Sequence, residues 1–178
     1  AINKIRPVSP DHPHETADVV LKTPAQMTED IIASYGAIGV TVTSLDDAFE
    51  KAQQALDVEL VDERLHVHKS FVRAFREGYP LFKDKLGTTV RANYEEFEQF
   101  VAQENRSCSV DNIDFYFDCA LTRMGVTLVD TPGADSINAR HTGVAFEYIR
   151  NADAILFITY YNHAFARADR EFFIKLGS

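Results

Sequence analysis

Apolar positions along the chain recur with two periods. Ile113, Phe115, Phe117, Cys119 and Leu121 alternate with polar or small residues, which predicts a long half-buried strand. Val126-Thr127-Leu128-Val129 follows as a short apolar run rich in β-branched residues, and the intervening Thr122-Arg123-Met124-Gly125 turn predicts that the two strands pair antiparallel. Ala154 to Ile158 is a second continuous apolar strand, and Val19-Val20-Leu21 a shorter one. Elsewhere the spacing is helical. Thr23-Pro24-Ala25-Gln26 places a cap residue, proline and glutamine where a helix starts, and Met27, Ile31 and Ile32 follow. Ser44-Leu45-Asp46-Asp47 opens a second helix carrying Ala48, Phe49, Ala52 and Leu56. The stripe Val61, Leu65, Phe71, Val72, Phe75, Tyr79 predicts a third helix ending near Gly78-Tyr79-Pro80. Asn93-Tyr94-Glu95-Glu96 caps a fourth, with Phe97, Phe100 and Val101 facing inward. Further helices are expected near 140–150 and 165–176. Residues 1–15, with Pro7, Pro10 and Pro13, read as an extended loop.

This order (strand, helical block, strand pair, helix, strand, helix) predicts an α/β protein. At 178 residues and 46% hydrophobic content the chain is long enough for one substantial core. Asp+Glu 27 against Lys+Arg 18 leaves a formal charge of -9, which argues against a broad basic face for nucleic acid or anionic lipid. Cys108 and Cys119 lack metal-ligand spacing and read as reduced, structural thiols of a cytoplasmic protein. No stretch reaches the roughly 18 apolar residues of a membrane-spanning helix. The chain opens on Ala1 and closes on Gly177-Ser178 directly after an amphipathic run, and we expect it to be excised from a longer protein.

The chemistry concentrates where the apolar run ends, at Asp130-Thr131-Pro132-Gly133. A carboxylate at the end of a buried strand can hold a magnesium-bound water, and a glycine three residues later can bring its backbone N–H against a terminal phosphate. Only glycine permits that approach. The tetrapeptide alone also marks an ordinary strand-ending turn. His12 and His14 lie two apart without further ligands, too few for a metal centre. His66 and His68 lie two apart on a helix and cannot share a face. Asp114 and Asp118 fall on the outer side of their strand and read as solvated. Thr159 to His163 lies at the strand end where α/β sheets place ligands.

These residues resemble the G domain of bacterial dynamin-like proteins, large GTPases that remodel or fuse membranes. The resemblance covers nearly the whole chain and is most specific from Asn112 to Gly177: the strand pair ending in Asp130-Thr131-Pro132-Gly133, the segment Asn151 to Phe157, and Asn162-His163-Ala164-Phe165 with Asp169. Thr16, followed by Ala17-Asp18-Val19-Val20-Leu21, resembles the switch I threonine. The resemblance implies a partial P-loop GTPase sheet with a large all-helical insertion. Residues 1–23 would hold switch I and its strand, 24–105 the insertion, and 106–178 the G-domain core. It further implies GTP as substrate, Mg2+ as cofactor, Thr16 as a catalytic metal ligand, Asp130 holding the metal through water and Gly133 contacting the γ-phosphate. His12 and His14 would be mobile switch I residues. Self-association through G domains, contact with membrane lipid through other regions, a place at the inner face of the cell membrane and no nucleic-acid partner are implied likewise.

The chain departs from the family in two ways. It contains no Gly-x-x-x-x-Gly-Lys-Ser/Thr and no Asn/Thr-Lys-x-Asp, so the phosphate-cradling loop and the guanine-specifying motif are not among its residues. Residue 134 is Ala, not the water-orienting Gln of Ras-like enzymes. Another P-loop GTPase class, or a non-catalytic scaffold with this fold, stay open as alternatives. A missing central strand between the strand ending at Asp130 and that of Ala154 to Thr159 is a further expectation, to be offset by gap closure, dimerisation or rearrangement.

Overall fold

In the computed structural model, residues 2–131, 148–156, 158 and 174 are described. The chain divides into two compact units, 1–130 and 131–178. The first holds a five-stranded mixed sheet in the order β3-β2-β4-β1-β5, formed by β1 (Ile2–Arg6), β2 (Thr16–Leu21), β3 (Thr89–Asn93), β4 (Val110–Tyr116) and β5 (Leu128–Asp130). β1 runs parallel to β4 and antiparallel to β5, while β2 is antiparallel to both β3 and β4.

Several elements start where local chemistry places them. Thr23 and Gln26 form the reciprocal capping box of α1 (Pro24–Ile38), which stops at Gly39 in the left-handed region, φ 87°. Ser44 caps α2 (Leu45–Glu50), and Asn93 with Glu96 boxes the start of α5 (Tyr94–Ala102). The second expected helix is instead two, broken at Lys51 before α3 (Ala52–Asp57). The third, α4 (His66–Phe82), continues through Pro80. Val61 lies outside it, fully exposed, and Val101 points to solvent.

Two cores result. Ala17, Val19, Leu21, Ala92, Ile113 and Phe115 line one face of the sheet, where Phe97 and Phe100 of α5 pack on them. Met27, Ile31, Tyr35, Val72, Phe75 and Phe82 build a separate core among α1 to α4. The two meet around α6 (Glu104–Ser107): Gly78 of α4 lies so close to it that a Cβ would sit 1.9 Å from the Asn105 carbonyl oxygen. Nearby, the buried Lys22 pairs with Asp30 at 2.7 Å and donates to the Cys108 carbonyl at 2.7 Å. A buried ammonium is tolerated only when so satisfied.

Four expectations are corrected. Residues 2–6 form a strand rather than a loop, and it lies between β4 and β5, so those two do not pair with each other. The reason is cross-strand charge: Lys4 stands in register with Asp114 and binds it at 2.8 Å, which puts a lysine where an apolar residue would have signalled a strand. β4 ends at Tyr116, and Cys119 caps the short helix α7 (Ala120–Arg123) rather than continuing the strand. Segment 24–105 is not all helix, because it supplies β3, whose Arg91 faces Asp18 in register. In the second unit, residues 148–150 are helical, whereas Ala154, Ile155, Leu156 and Ile158 are exposed and outside any strand. Of the final helix, Ile174 alone is described, and it is helical.

Candidate functional site

Direct cross-strand partners share a face of an antiparallel pair, which fixes where the expected site residues point. Asp130 ends β5 opposite Asn3 of β1, and the next pair on that face, Leu128 with Ile5, adjoins the sheet core. Asp130 is exposed. Asn3 differs in one respect. Three buried side-chain atoms among the described residues lack a hydrogen bond; Arg6 Nε and Asp114 Oδ1 face each other as an ion pair at 3.0 Å, which leaves the amide oxygen Asn3 Oδ1. Asp130 offers one accessible carboxylate at a strand end, a hard oxygen donor. That composition fits a hydrated Mg2+, which keeps several of its waters and takes few protein ligands.

Thr16 is not brought to this place. It pairs with Tyr116, itself level with Arg6, so its side chain lies on the opposite face of the sheet from Asp130. β4 and β1 intervene, a spacing of roughly 14 Å at the usual strand separation. Its hydroxyl donates to the Pro13 carbonyl at 2.7 Å, a local turn contact. The structure therefore does not bring Thr16 and Asp130 together as joint ligands of one ion. Gly133 lies outside the described residues, as do Asn162, His163 and Asp169.

The face that carries Thr16 is a charge network. Asp18 accepts from Arg91 Nε at 2.5 Å and Tyr116 Oη at 3.3 Å, and meets His12 Nε2 at 3.1 Å. His12 also stacks on Tyr116 with ring centroids 4.2 Å apart. His14 accepts from the Asp118 backbone N–H at 2.9 Å and leans on Phe117. The two histidines thus address different partners. Asp114 is not a solvated carboxylate, since it joins Lys4 to Arg6. The Arg123 guanidinium holds the Asp118 carboxyl below the usual carboxylate range. Opposite charges in register satisfy one another on this face, where Lys4 and Tyr116 are buried. The network has no open donor set of the kind found at Asp130.

Residues 55–178 match the model of the dynamin family. Over 177 residues, 99% of this chain, it is 36% identical to Dynamin-like protein A of Bacillus subtilis (strain 168), of which it spans 14%. Over 74 residues, 42% of this chain, it is 29% identical to an uncharacterized protein in the xynA 3' region of Caldicellulosiruptor sp. (strain Rt8B.4), of which it spans 18%. A mixed sheet, an acidic strand end and a family match over more than half of the residues define a GTPase-domain chain of the P-loop class. The chain belongs to the dynamin family.

Proposed function

We propose that these residues supply the Asp-x-x-Gly switch of a dynamin-type domain that binds and hydrolyses GTP, and that the native protein couples this to membrane remodelling or fusion. The observation that carries the reading is Asp130, exposed at the end of β5 where the apolar run closes on Asp-x-x-Gly. Asp130 would hold Mg2+ through a coordinated water, and Gly133 would offer its N–H to the γ-phosphate. When bound, Mg2+ neutralises charge that develops on the phosphate oxygens. The protein's own task is positioning: a carboxylate fixed at a strand end costs little reorganisation when the phosphate arrives. Self-association through such domains, lipid contact through other regions and a place at the inner face of the membrane belong to the same proposal, on the strength of the family resemblance.

The test uses the native full-length chain that carries these residues. Asp130→Ala is expected to abolish phosphate release from GTP with unchanged circular dichroism, whereas Thr16→Ala, remote from the site, should retain turnover. Wild-type turnover in Asp130→Ala would sink the reading. The 178-residue chain alone, without a phosphate-cradling sequence, should show negligible calorimetric binding of a non-hydrolysable GTP analogue with Mg2+.

A further inference from the structure

We infer that the helical block α1 to α4 and the sheet are two bodies locked into one by a polar latch, the buried side chain of Lys22. The inference stands apart from the GTPase reading, and its test uses no nucleotide.

Each body has an apolar core of its own. The block draws its core from residues 27–82 with Cys108, the sheet from β2, β3, β4 and α5, and no residue belongs to both. Three crossings of the chain between them converge on Lys22. It leads from β2 into α1. Its backbone N–H donates to the Ser109 carbonyl at 2.8 Å, where α6 passes into β4, and its carbonyl accepts from the Gly87 N–H at 2.9 Å, where the chain returns from the block to β3. The side chain completes the joint. Its ammonium, 2% exposed, bonds Asp30 of α1 and the Cys108 carbonyl, each at 2.7 Å, and lies 5.3 Å from the centre of the Phe71 ring of α4. Apolar burial is non-directional and leaves the angle between two cores loosely set. An ammonium held by a carboxylate, a carbonyl and a ring face fixes that angle, because its partners sit on different elements and a shift of any one leaves buried charge unmatched. The backbone around Lys22 is built to turn: the β2–β4 ladder changes register between Val20 and Leu21, and Gly87 lies in the left-handed region at φ 80°. α6, against which Gly78 brings α4, is the pivot. By register the joint lies just beyond the row Val19, Ile113, Asn3, Asp130, at the end of the sheet where β5 closes. Releasing the latch therefore frees the block at the end that carries the candidate site, with both cores intact.

The test is hydrogen exchange read by mass spectrometry on the native full-length chain that carries these residues. Lys22→Met keeps an unbranched side chain of similar length and removes the latch. Peptides spanning Leu21 to Thr23 and Leu86 to Thr88 are expected to exchange at least about tenfold faster, the worth of one hydrogen bond to a charged group, while peptides inside α4 and β4 keep wild-type protection. Because Lys22→Met leaves Asp30 without its ammonium, the paired variant Lys22→Met/Asp30→Leu, with both charges replaced by apolar groups, is measured beside it and should show the same pattern. Unchanged exchange at the joint in a folded variant overturns the inference. So does protection lost evenly over the joint, α4 and β4, which would make Lys22 an ordinary stabilising residue. If neither variant folds, the wild-type chain decides: the joint peptides must exchange before both cores, and equal protection throughout overturns the inference, since block and sheet would then open only together.

Discussion

Gly78 shows how one missing methyl group joins the two cores. It stands mid-helix, where glycine costs about 1 kcal/mol against alanine, yet a Cβ there would meet the Asn105 carbonyl oxygen at 1.9 Å and a Phe82 ring carbon at 2.8 Å. Backbone cannot swing aside as a side chain can. Gly78→Ala is therefore expected to destabilise by about 3 kcal/mol, the upper end of overpacking costs, despite its better helix propensity. A lower denaturant midpoint at unchanged slope would show it, and a neutral or stabilised variant would mean that α4 and α6 do not approach this closely. Asp18 makes the complementary point: one carboxylate serves β3, β4 and the loop before β2, so its worth lies in joining segments distant in sequence.

At the scale of elements, the helices α1 to α4 enclose acids that are kept neutral. Burial pushes Tyr35 up to about 12 while its hydroxyl donates to the Ala48 carbonyl at 2.5 Å. Burial, with the Asp46 carboxylate accepting from its hydroxyl, pushes Tyr79 up to about 12. Burial likewise raises the Cys108 thiol to about 12, against the pull of the Lys22 ammonium. Each folded value lies above the ordinary one, near 9 for the thiol and 10 for the phenols, so the unfolded chain loses these protons first. Their contribution is complete below pH 9 and declines as the pH rises through 12. Thermal melts from pH 8 upward should show a falling midpoint beyond pH 9. Tyr35→Phe should start lower, having lost a buried hydrogen bond, and fall less steeply. A midpoint flat to pH 11 would contradict the packing of this block.

The whole molecule carries an unresolved liability. Ile155, Leu156 and Ile158 are 51%, 85% and 91% exposed in one short stretch. Contiguous β-branched and aliphatic side chains left to water recruit other surfaces, strands above all. The 178-residue chain should bind a hydrophobic dye and elute above its 20.0 kDa mass at micromolar concentration. Leu156→Lys should reduce both signals. A monodisperse monomer without dye binding would show that the stretch is covered in solution.

Much of this was legible before any coordinates. The caps at Thr23, Ser44 and Asn93 begin helices as their residue types require, because capping is a local hydrogen-bond problem. The acidic strand end at Asp130 was legible for the same reason, since an apolar run closing on Asp-x-x-Gly is written in consecutive residues. What the sequence alone determined were properties settled within one or two turns of chain. Tertiary structure decided the rest. Lys4 in a strand, Asp114 bound rather than solvated, β3 inside a helical stretch and β1 inserted between β4 and β5 all depend on partners distant in sequence, in two cases more than a hundred residues away. Register then assigned faces, placing Thr16 and Asp130 on opposite sides of one sheet and setting Asn3 against the carboxylate. A single residue's identity cannot carry that information, because the period-2 geometry of a strand reveals which way a side chain points only once its neighbour is known.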